Sequence, residues 1–317
     1  MRHRVRAAGR WLAGLLAAAW LGQAAPVASA ELIVPMQILT HGRLADRVDP
    51  NGMPMPGSLQ RFVNFVHPVA VAARGQDVYV ADGGTRRVYR FDLSMQVLSV
   101  VPGVEAAPGI RMQAAPDQSL LVLNPARSAI VRIGRGGRLL QTLSDSIVTA
   151  RWSEFAADES GARLVATDNA NQRVVSLQSL AGTVPPLTTA GESDGTLVAP
   201  GAVAFVGRAV LVADAACHCI IELDEGGRAL RKFGGETLKQ PRAMGVDRYG
   251  RIFVLDGFDR AVHVFQGGQL LESYDATRLR LVGPLALAVD GSWLYIADGP
   301  GARIGVFRLS PPEAARQ

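Results

Sequence analysis

Residues 242–274 read RAMGVDRYGRIFVLDGFDRAVHVFQGGQLLESY and contain four short apolar segments. These segments are 242–246, 252–255, 261–265 and 269–274. Turn residues separate them, including Asp247-Arg248-Tyr249-Gly250 and Gly267-Gly268. Glycine is typical of tight hairpins because it adopts positive φ without steric cost. The stretch therefore predicts four antiparallel strands joined by short turns.

The second segment of this stretch, IFVLD, recurs through the chain as an apolar strand that ends in Asp or Asn. Its last residues are Asp82, Asn124, Asp168, Asp214, Asp256 and Asp298, at spacings of 42, 44, 46, 42 and 42 residues. Six residues further on stands a β-branched residue in every case: Val88, Ile130, Val174, Ile220, Val262 and Ile304. Nine residues further on stands a large apolar one: Phe91, Ile133, Leu177, Leu223, Phe265 and Phe307. Such self-similarity indicates six copies of one structural module.

The strands of each module are apolar on both faces, so one four-stranded sheet cannot bury itself alone. Six sheets arranged radially bury both faces of every sheet. We predict an all-β, six-bladed β-propeller of four-stranded antiparallel blades over residues 58–310, with a short tail at 311–317.

The last module lacks an outer strand, because two prolines and few residues follow Phe307. The apolar stretch 32–39, LIVPMQIL, is a strand without a module. We expect it to complete the last blade at its edge, where Pro35 is tolerated. Residues 31–57 then form the closing strand and its connector to blade 1.

Residues 1–30 have the pattern of a signal peptide: four arginines, the apolar run WLAGLLAAAWL and a terminal Ala28-Ser29-Ala30. We expect cleavage after Ala30 and a periplasmic or secreted mature protein with no membrane span. The alternative is a leader that is retained as a membrane anchor.

The charge of the mature chain argues against nucleic acid as a partner. The full chain has 33 Lys+Arg against 28 Asp+Glu, but the predicted leader contains four arginines and no acid. The remaining chain is therefore close to neutral. A nucleic-acid-binding protein usually has a strongly basic surface.

The modules resemble those of the NHL-repeat family, in which a proline-led strand is followed by an apolar strand ending V-A-D and an Asn/Arg-Ile element. Pro68-Val69-Ala70-Val71-Ala72, VYVAD and Arg86-Arg87-Val88 fit this pattern, as do Pro284, LYIAD and Arg303-Ile304. The Gly-rich stretch 191–197 before Pro200 is similar to the family's approach to a blade. The resemblance covers residues 58–309 and implies the propeller fold; it says little about activity.

Modules 2 and 3 depart from the family pattern. Asn124 replaces Asp, Trp152 stands where the leading proline is expected, and we place Arg111 in an enlarged loop before its blade.

The repeated aspartates have a structural interpretation. Asp82, Asp168, Asp214, Asp256 and Asp298 stand at one position of the module. An Asp at such a position caps a turn by accepting backbone N–H groups. Arg87, Arg173 and Arg303 fit the same role, including pairing between blades.

Cys217-His218-Cys219 is the most unusual local motif. Residues two apart in a strand share a face, so the two sulfurs can meet. One interpretation is a pair of small buried residues, with His218 facing the next blade. Others are a reactive or oxidised pair, and a weak zinc site for which a fourth ligand is missing.

Enzymatic propellers are the alternative to a binding protein. Peptidylglycine-amide lyase, an NHL-like enzyme, holds zinc with histidines, but the residues after the leading positions here are Val69, Gly109, Gly201, Arg242 and Leu285. Lactonase-like propellers need a Glu/Asn/Asp set on the axis, and only Glu154 is a candidate. We predict no catalytic residues and no cofactor, and keep a metal-dependent hydrolase or lyase as the alternative.

The loops where the blades begin are the best candidates for a binding rim. Residues there that break the repeat are His67, Arg111, Arg151, Trp152, Glu154, Gln240 and Arg242. Trp and Arg suit stacking and bidentate contacts with an anionic or polar ligand. The prediction is a non-catalytic scaffold that binds a protein, peptide or envelope polymer on one face. The sequence leaves the oligomeric state open.

Overall fold

The computed structural model describes residues 31–51, 53–144, 150–178 and 197–312. These residues form strands and one short 3₁₀ turn, Pro125–Arg127. Within them, no helix has the length and apolarity needed to cross a bilayer.

The chain begins with three strands that precede the repeated modules: β1 (Ile33–Leu39), β2 (His41–Ala45) and β3 (Gln60–Asn64). Blade 1 contains β4 (Pro68–Arg74), β5 (Asp77–Asp82), β6 (Arg87–Asp92) and β7 (Val97–Glu105). Blade 2 contains β8 (Arg111–Ala114), β9 (Leu120–Asn124), β10 (Ala129–Ile133) and β11 (Leu139–Ser144). Blade 3 contains β12 (Trp152–Ala157), β13 (Arg163–Asp168) and β14 (Arg173–Gln178).

The second half of the ring continues in the same order. Blade 4 contains β15 (Pro200–Val206), β16 (Ala209–Asp214), β17 (Cys219–Leu223) and β18 (Ala229–Phe233). Blade 5 contains β19 (Pro241–Val246), β20 (Ile252–Asp256), β21 (Ala261–Gln266) and β22 (Gln269–Asp275). Blade 6 contains β23 (Pro284–Asp290), β24 (Trp293–Asp298) and β25 (Arg303–Leu309).

The six sheets form a closed ring, which confirms the six-bladed propeller. Within each blade, consecutive strands pair antiparallel. Each first strand contacts the first strands of its two neighbours, from β4 through β8, β12, β15, β19 and β23 back to β4. Three strands of blade 3 are described, and residues 179–196, which follow them in the chain, lie outside the described residues. The Gly-rich stretch of the sequence resemblance lies there too, apart from Leu197.

Both faces of each sheet are buried, as the apolar strands predict. In β5, Val78 and Val80 pack in the core between blades 6 and 1. The alternate residues Tyr79 and Ala81 pack in the core between blades 1 and 2. Because side chains alternate along a strand, each blade contributes to two neighbouring cores. The ring is therefore stabilised at the interfaces between blades.

The N-terminal strand closes the ring, as predicted. β1 is the outermost strand of blade 6 and pairs antiparallel with β25, from Ile33 opposite Leu309 to Leu39 opposite Ile304. The Tyr274 hydroxyl of blade 5 accepts hydrogen bonds from the backbone N–H groups of Leu32 (2.9 Å) and Ile33 (3.2 Å). It donates to Glu272 Oε2 at 2.6 Å. The closing strand is thus tied to two blades.

The connector to blade 1 contains strands of its own. β2 pairs in parallel with β7 at the outer edge of blade 1, and β3 pairs antiparallel with β2. A Cβ at Gly42 would lie only 2.7 Å from Leu98 Cγ, so glycine permits the close approach of β2 to blade 1. Leu44 is buried in the same core as Leu98. The pairing extends the sheet of blade 1 to six strands.

We expect the free energy of unfolding to fall as the pH rises from about 10 toward 12. Burial raises the pKa of Tyr79, Tyr274 and Tyr295 to about 12, whereas a tyrosine in an unfolded chain ionises near 10. The folded state binds these three phenolic protons more tightly than the unfolded chain does. Their contribution to the free energy of unfolding is therefore complete below about pH 10, the unfolded pKa, and is lost as the pH rises toward the folded pKa of about 12. Urea unfolding at about pH 8 and about pH 11.5 measures the loss. A Tyr295→Phe variant should lose less stability over this interval than the parent, and identical losses would contradict the prediction.

Candidate functional site

The two ends of the ring differ in what they expose. We call the end at which each first strand begins the anchor face; it contains the loops before the first strands and the turns between second and third strands. We call the opposite end the hairpin face; it contains the turns between first and second strands and between third and fourth strands. The repeated aspartates and the predicted rim both belong to the anchor face.

The repeated aspartates are structural, as their position in the module predicts. Asp82 accepts hydrogen bonds from the backbone N–H groups of Val66 (2.7 Å), His67 (3.0 Å) and Gly84 (2.9 Å). Asp168, Asp214, Asp256 and Asp298 accept equivalent bonds in their blades. Each carboxylate joins the loop before a first strand to the end of the second strand. These side chains are committed to the fold.

Hydrogen bonds keep three of these carboxylates ionised. Burial raises the pKa of Asp168, Asp256 and Asp298, but the donors around them outweigh it and hold the pKa below its usual value. Backbone N–H groups donate to all three carboxylates. An arginine of the same blade also donates to Asp168 and Asp298, and the Asn171 side chain donates to Asp168.

Two of the arginines that follow the aspartates form ion pairs within their own blade. Arg173 and Arg303 bind the aspartate five residues earlier in their own blade, Asp168 and Asp298, at 3.0 and 2.8 Å. Adjacent strands bring Arg and Asp opposite each other, so the structural role expected of these arginines is met within a blade. For Arg303 this pairing replaces the expected pair between blades. Arg87 is exposed and forms no ion pair with a described acid.

Cys217 and Cys219 form a disulfide bond. Cys217 lies in the turn before β17, and Cys219 is the first residue of that strand. His218 between them is exposed, and its Nδ1 lies 2.6 Å from the Lys239 carbonyl oxygen of the next loop. The zinc interpretation is wrong, because both sulfurs are bonded to each other. The oxidised pair is the alternative that the structure contains.

A cavity of about 570 Å³ runs along the first strands of all six blades. In blades 1, 2, 5 and 6, one residue of the first strand lies opposite the next-to-last residue of the second strand. This residue is a small alanine in blades 1, 5 and 6 (Ala70, Ala243 and Ala286) and the much longer Arg111 in blade 2. Glu154 occupies the same position in blade 3. Arg111 begins β8, so placing it in an enlarged loop is wrong.

Arg111 and Glu154 form an ion pair in this cavity. Arg111 Nε donates to Glu154 Oε2 at 2.7 Å, and the Phe155 backbone N–H donates to Glu154 Oε1 at 3.2 Å. Burial raises the pKa of Glu154, and the Arg111 guanidinium opposes that rise. The two residues stand 43 positions apart, one module length, so their pairing could have been inferred from the repeat.

The other predicted rim residues divide into exposed and buried. His67, Arg151, Gln240 and Arg242 are exposed on the anchor face. Trp152 is only 1% exposed and packs in a core with Phe155 and Val175. Its ring therefore has no face for a ligand to stack on, because in place of the leading proline it fills the space between two sheets.

The anchor face exposes cations that have no acidic partner. Among the described residues, six exposed basic side chains at this face form no ion pair: Arg87, Arg127, Lys239, Arg242, Arg260 and Arg280. At or next to the hairpin face, seven arginines pair with Asp or Glu: Arg90, Arg132, Arg135, Arg163, Arg208, Arg228 and Arg251. The hairpin face also exposes Arg138 and Arg248 without an ion pair to a described acid, so the two faces differ in the number of unpaired cations rather than in kind. Of the six at the anchor face, only Arg242 is among the rim residues predicted from the sequence. The other five lie in or next to turns and loops whose positions the repeat predicts.

The unpaired cations are concentrated where blades 5 and 6 meet. Lys239 Nζ lies 4.9 Å from the centroid of the Phe258 ring. Arg242 packs against Gly257, and Arg260 donates to the Val282 carbonyl oxygen at 3.5 Å. We call Lys239, Arg242, Phe258 and Arg260 the blade 5 cluster. The acids Glu236 and Asp259 lie nearby on the same face, so the cluster is mainly, although not wholly, cationic.

Exposed apolar side chains accompany these cations. Phe258 is 69% exposed, and Val66, Val198 and Val282 are each about half exposed. The three valines occupy one position, two residues before the leading prolines of β4, β15 and β23. Their backbone N–H groups bind the aspartates, and their side chains remain accessible at the anchor face.

One group of side chains has the composition of a metal site. Suitable ligand atoms of Asp256, Asp259 and His263 lie within 4.8 Å of one another. Asp256 already accepts backbone N–H groups from Lys239, Gln240 and Phe258. His263 Nδ1 contacts the Ser273 hydroxyl, and its Nε2 lies 3.3 Å from Asp259. These groups are used within blade 5 and lie away from the central cavity.

The architecture and cavity define a six-bladed β-propeller, and comparison with known proteins agrees at that level. No family model and no curated protein matches the chain. A structural-genomics protein of unknown function from Bacteroides thetaiotaomicron superposes with a TM-score of 0.60 at 16% identity, covering 87% of this chain and 76% of that one.

Two lyase structures are also similar in fold. A catalytically inactive histidine-to-alanine variant of virginiamycin B lyase from Staphylococcus aureus, with quinupristin, has a TM-score of 0.58 at 12% identity, covering 88% of this chain and 98% of that one. A streptogramin B lyase has a TM-score of 0.57 at 12% identity, covering 87% and 89%. At these identities the likeness shows the fold alone.

Proposed function

We propose that this chain is an exported, non-catalytic propeller of the NHL-repeat type that binds an acidic segment of a protein partner on its anchor face. The observation that carries the proposal is the set of unpaired cations there, with the blade 5 cluster as its centre. Unpaired cations on one face attract an anionic partner and orient it.

The exposed apolar side chains favour a protein segment over an anionic sugar polymer. Phe258, Val66 and Val282 offer apolar contact area beside the cations. Peptides combine acidic and apolar side chains, and aromatic and arginine residues supply much of the binding energy at protein interfaces.

The alternative function is that of a metal-dependent hydrolase or lyase, because two of the structures similar in fold are lyases. Among the described residues, no histidine or cysteine lines the central cavity, and two of its carboxylates, Glu154 and Asp247, are paired with Arg111 and Arg251. Support for binding is therefore stronger than support for acid–base or metal chemistry in the cavity. Metal analysis of the purified protein distinguishes the two, because a tightly held stoichiometric metal favours the enzyme.

Removing three charges of the blade 5 cluster should weaken the binding of an acidic peptide. For a Lys239→Gln, Arg242→Gln, Arg260→Gln variant we expect about tenfold weaker binding, since exposed ion pairs contribute about 0.5 kcal/mol each and about 1.4 kcal/mol is a factor of ten. The measurement is titration of the full chain with a labelled Glu/Leu peptide at low and physiological salt. Binding should also weaken as salt screens the charges.

The matched control removes three charges from the hairpin face: Arg138→Gln, Arg208→Gln and Arg228→Gln, all exposed in the parent. Both variants have the same net charge, so unspecific attraction would weaken equally in the two. Equal loss, or no binding of the peptide to the parent, contradicts the proposal. Tighter binding of polygalacturonate than of the peptide assigns the face to a polymer instead.

A further inference from the structure

We propose that the Cys217–Cys219 disulfide is a thiol-exchange site rather than a structural bond. The inference goes beyond the proposed binding function and stands without it. Its basis is a comparison of the six equivalent turns between second and third strands, of which one contains the disulfide.

The six turns share one backbone conformation. In each turn, the fourth residue after the Asp or Asn that ends the second strand has positive φ, between 45 and 58°: Arg86, Ser128, Gln172, His218, Arg260 and Ala302. Five of these turns form without a disulfide, with other residue types at the positions of Cys217 and Cys219. The bond is therefore not needed to shape the turn.

The bond also has little scope to stabilise the fold. In the chain-entropy model, the stabilisation from a disulfide grows with the number of residues in the loop that it closes. Cys217 and Cys219 are separated by a single residue, so the loop is very short. The bond adds no connection between blades, because the turn belongs to blade 4 alone.

The two sulfurs differ in access, which sets the direction of exchange. Cys217 is partly exposed at the anchor face, whereas Cys219 is buried in the core with Val212 and Ile221. Cys217 is the more exposed residue of the pair, so it is the one at which we expect an incoming thiol to attack. His218 Nδ1 lies 2.6 Å from the Lys239 carbonyl oxygen, so the loop before blade 5 borders the same turn.

The reaction is a two-electron exchange with a partner that contains two thiols. The first partner thiol loses its proton and attacks Cys217 Sγ; the Cys217–Cys219 bond breaks, and Cys219 Sγ leaves with the electron pair and takes up a proton. The second partner thiol then attacks the partner sulfur of the mixed disulfide, and Cys217 Sγ leaves and is protonated. The partner is oxidised to a disulfide, and the propeller is reduced to two thiols. Cys219 remains in its apolar site as a small neutral group.

Single-cysteine variants of the full chain test which sulfur exchanges. With glutathione disulfide as the probe, Cys219→Ser should form a mixed disulfide at Cys217 about tenfold faster than Cys217→Ser does at Cys219, because access to the sulfur controls the rate. Mass spectrometry of the intact variants measures both rates. Equal rates, or a faster reaction at Cys219, would overturn the proposal.

Reduction of the parent protein provides a test that does not depend on the variants. Dithiothreitol should reduce the disulfide without denaturant, and the melting temperature of the reduced protein should stay that of the oxidised protein. A Cys217→Ala, Cys219→Ala variant should melt at the same temperature too. A disulfide that reacts only after unfolding, or a large drop in melting temperature, would show that the bond is structural.

Discussion

Replacing Ile33 and Leu39 together with alanine is expected to lower the free energy of unfolding by about 6 kcal/mol, which is the largest of the effects that we predict. Both side chains are buried, and they lie in different cores: Ile33 with Phe307 and Leu309, Leu39 with Tyr295. Large-to-small changes in a core cost about 2–5 kcal/mol each and add when the sites are separate. Guanidinium unfolding of the parent and the variant measures the loss.

The same strand supplies the control. Met36 and Ile38 are 53% and 41% exposed on the outer surface of β1. A Met36→Ala, Ile38→Ala variant keeps the backbone pairing with β25 and should lose less than about 1 kcal/mol. Equal losses in the two double variants would mean that β1 does not close the ring through its buried side chains.

Replacing Asp298 with asparagine is expected to cost about 3 kcal/mol, the second largest effect. Its two carboxylate oxygens accept from the backbone N–H groups of Val282 (2.9 Å) and Gly283 (2.8 Å) and from Arg303 Nε (2.8 Å). An asparagine side chain turns one oxygen into an N–H₂ donor that faces other donors. It also leaves the Arg303 cation without its partner. Chemical denaturation of the variant measures the cost.

The dependence on pH separates this electrostatic effect from a packing defect. Burial raises the pKa of Asp298, but its hydrogen-bond donors outweigh burial and hold the pKa below the value in the unfolded chain. The contribution of the ionised Asp298 to the free energy of unfolding is therefore present above about pH 4 and is lost as the pH falls through the folded pKa. The difference in stability between the parent and Asp298→Asn should therefore shrink toward pH 3. Asn124→Ala is the control. Within the described part of the chain, Asn124 Oδ1 accepts one hydrogen bond, from the backbone N–H of Ala126, so blade 2 depends less on this side chain than blade 6 depends on Asp298. A difference that stays constant with pH would contradict the electrostatic account.

The repeat predicted the fold because it encodes burial directly. Strands such as β5 are apolar on both faces, and only neighbouring sheets can cover both. The closing strand followed from a missing element in the last module. What the repeat could not predict is the pairing of β2 and β3 with blade 1, since β2 contributes few apolar residues and depends on the space beside Gly42.

The candidate site was predicted in part, because a turn position fixes a face but not the direction of a side chain. Arg242 and Gln240 are exposed as expected, but Trp152 turns into a core. The motif Cys217-His218-Cys219 was interpreted as a strand, although its first two residues lie in a turn. The difference in unpaired cations between the two faces escaped detection because it depends on which arginines find acids across the structure. Sequence alone shows only that the total is balanced.

Amide hydrogen exchange of the full chain, with and without the Glu/Leu peptide, tests most directly that the anchor face is the binding surface. The account predicts slower exchange in the peptide complex within residues 234–242 and 257–260, which form and flank the blade 5 cluster. Residues 224–228, in a turn of the hairpin face, should exchange at an unchanged rate. Protection confined to the hairpin face, or no protection in a saturated complex, would contradict it.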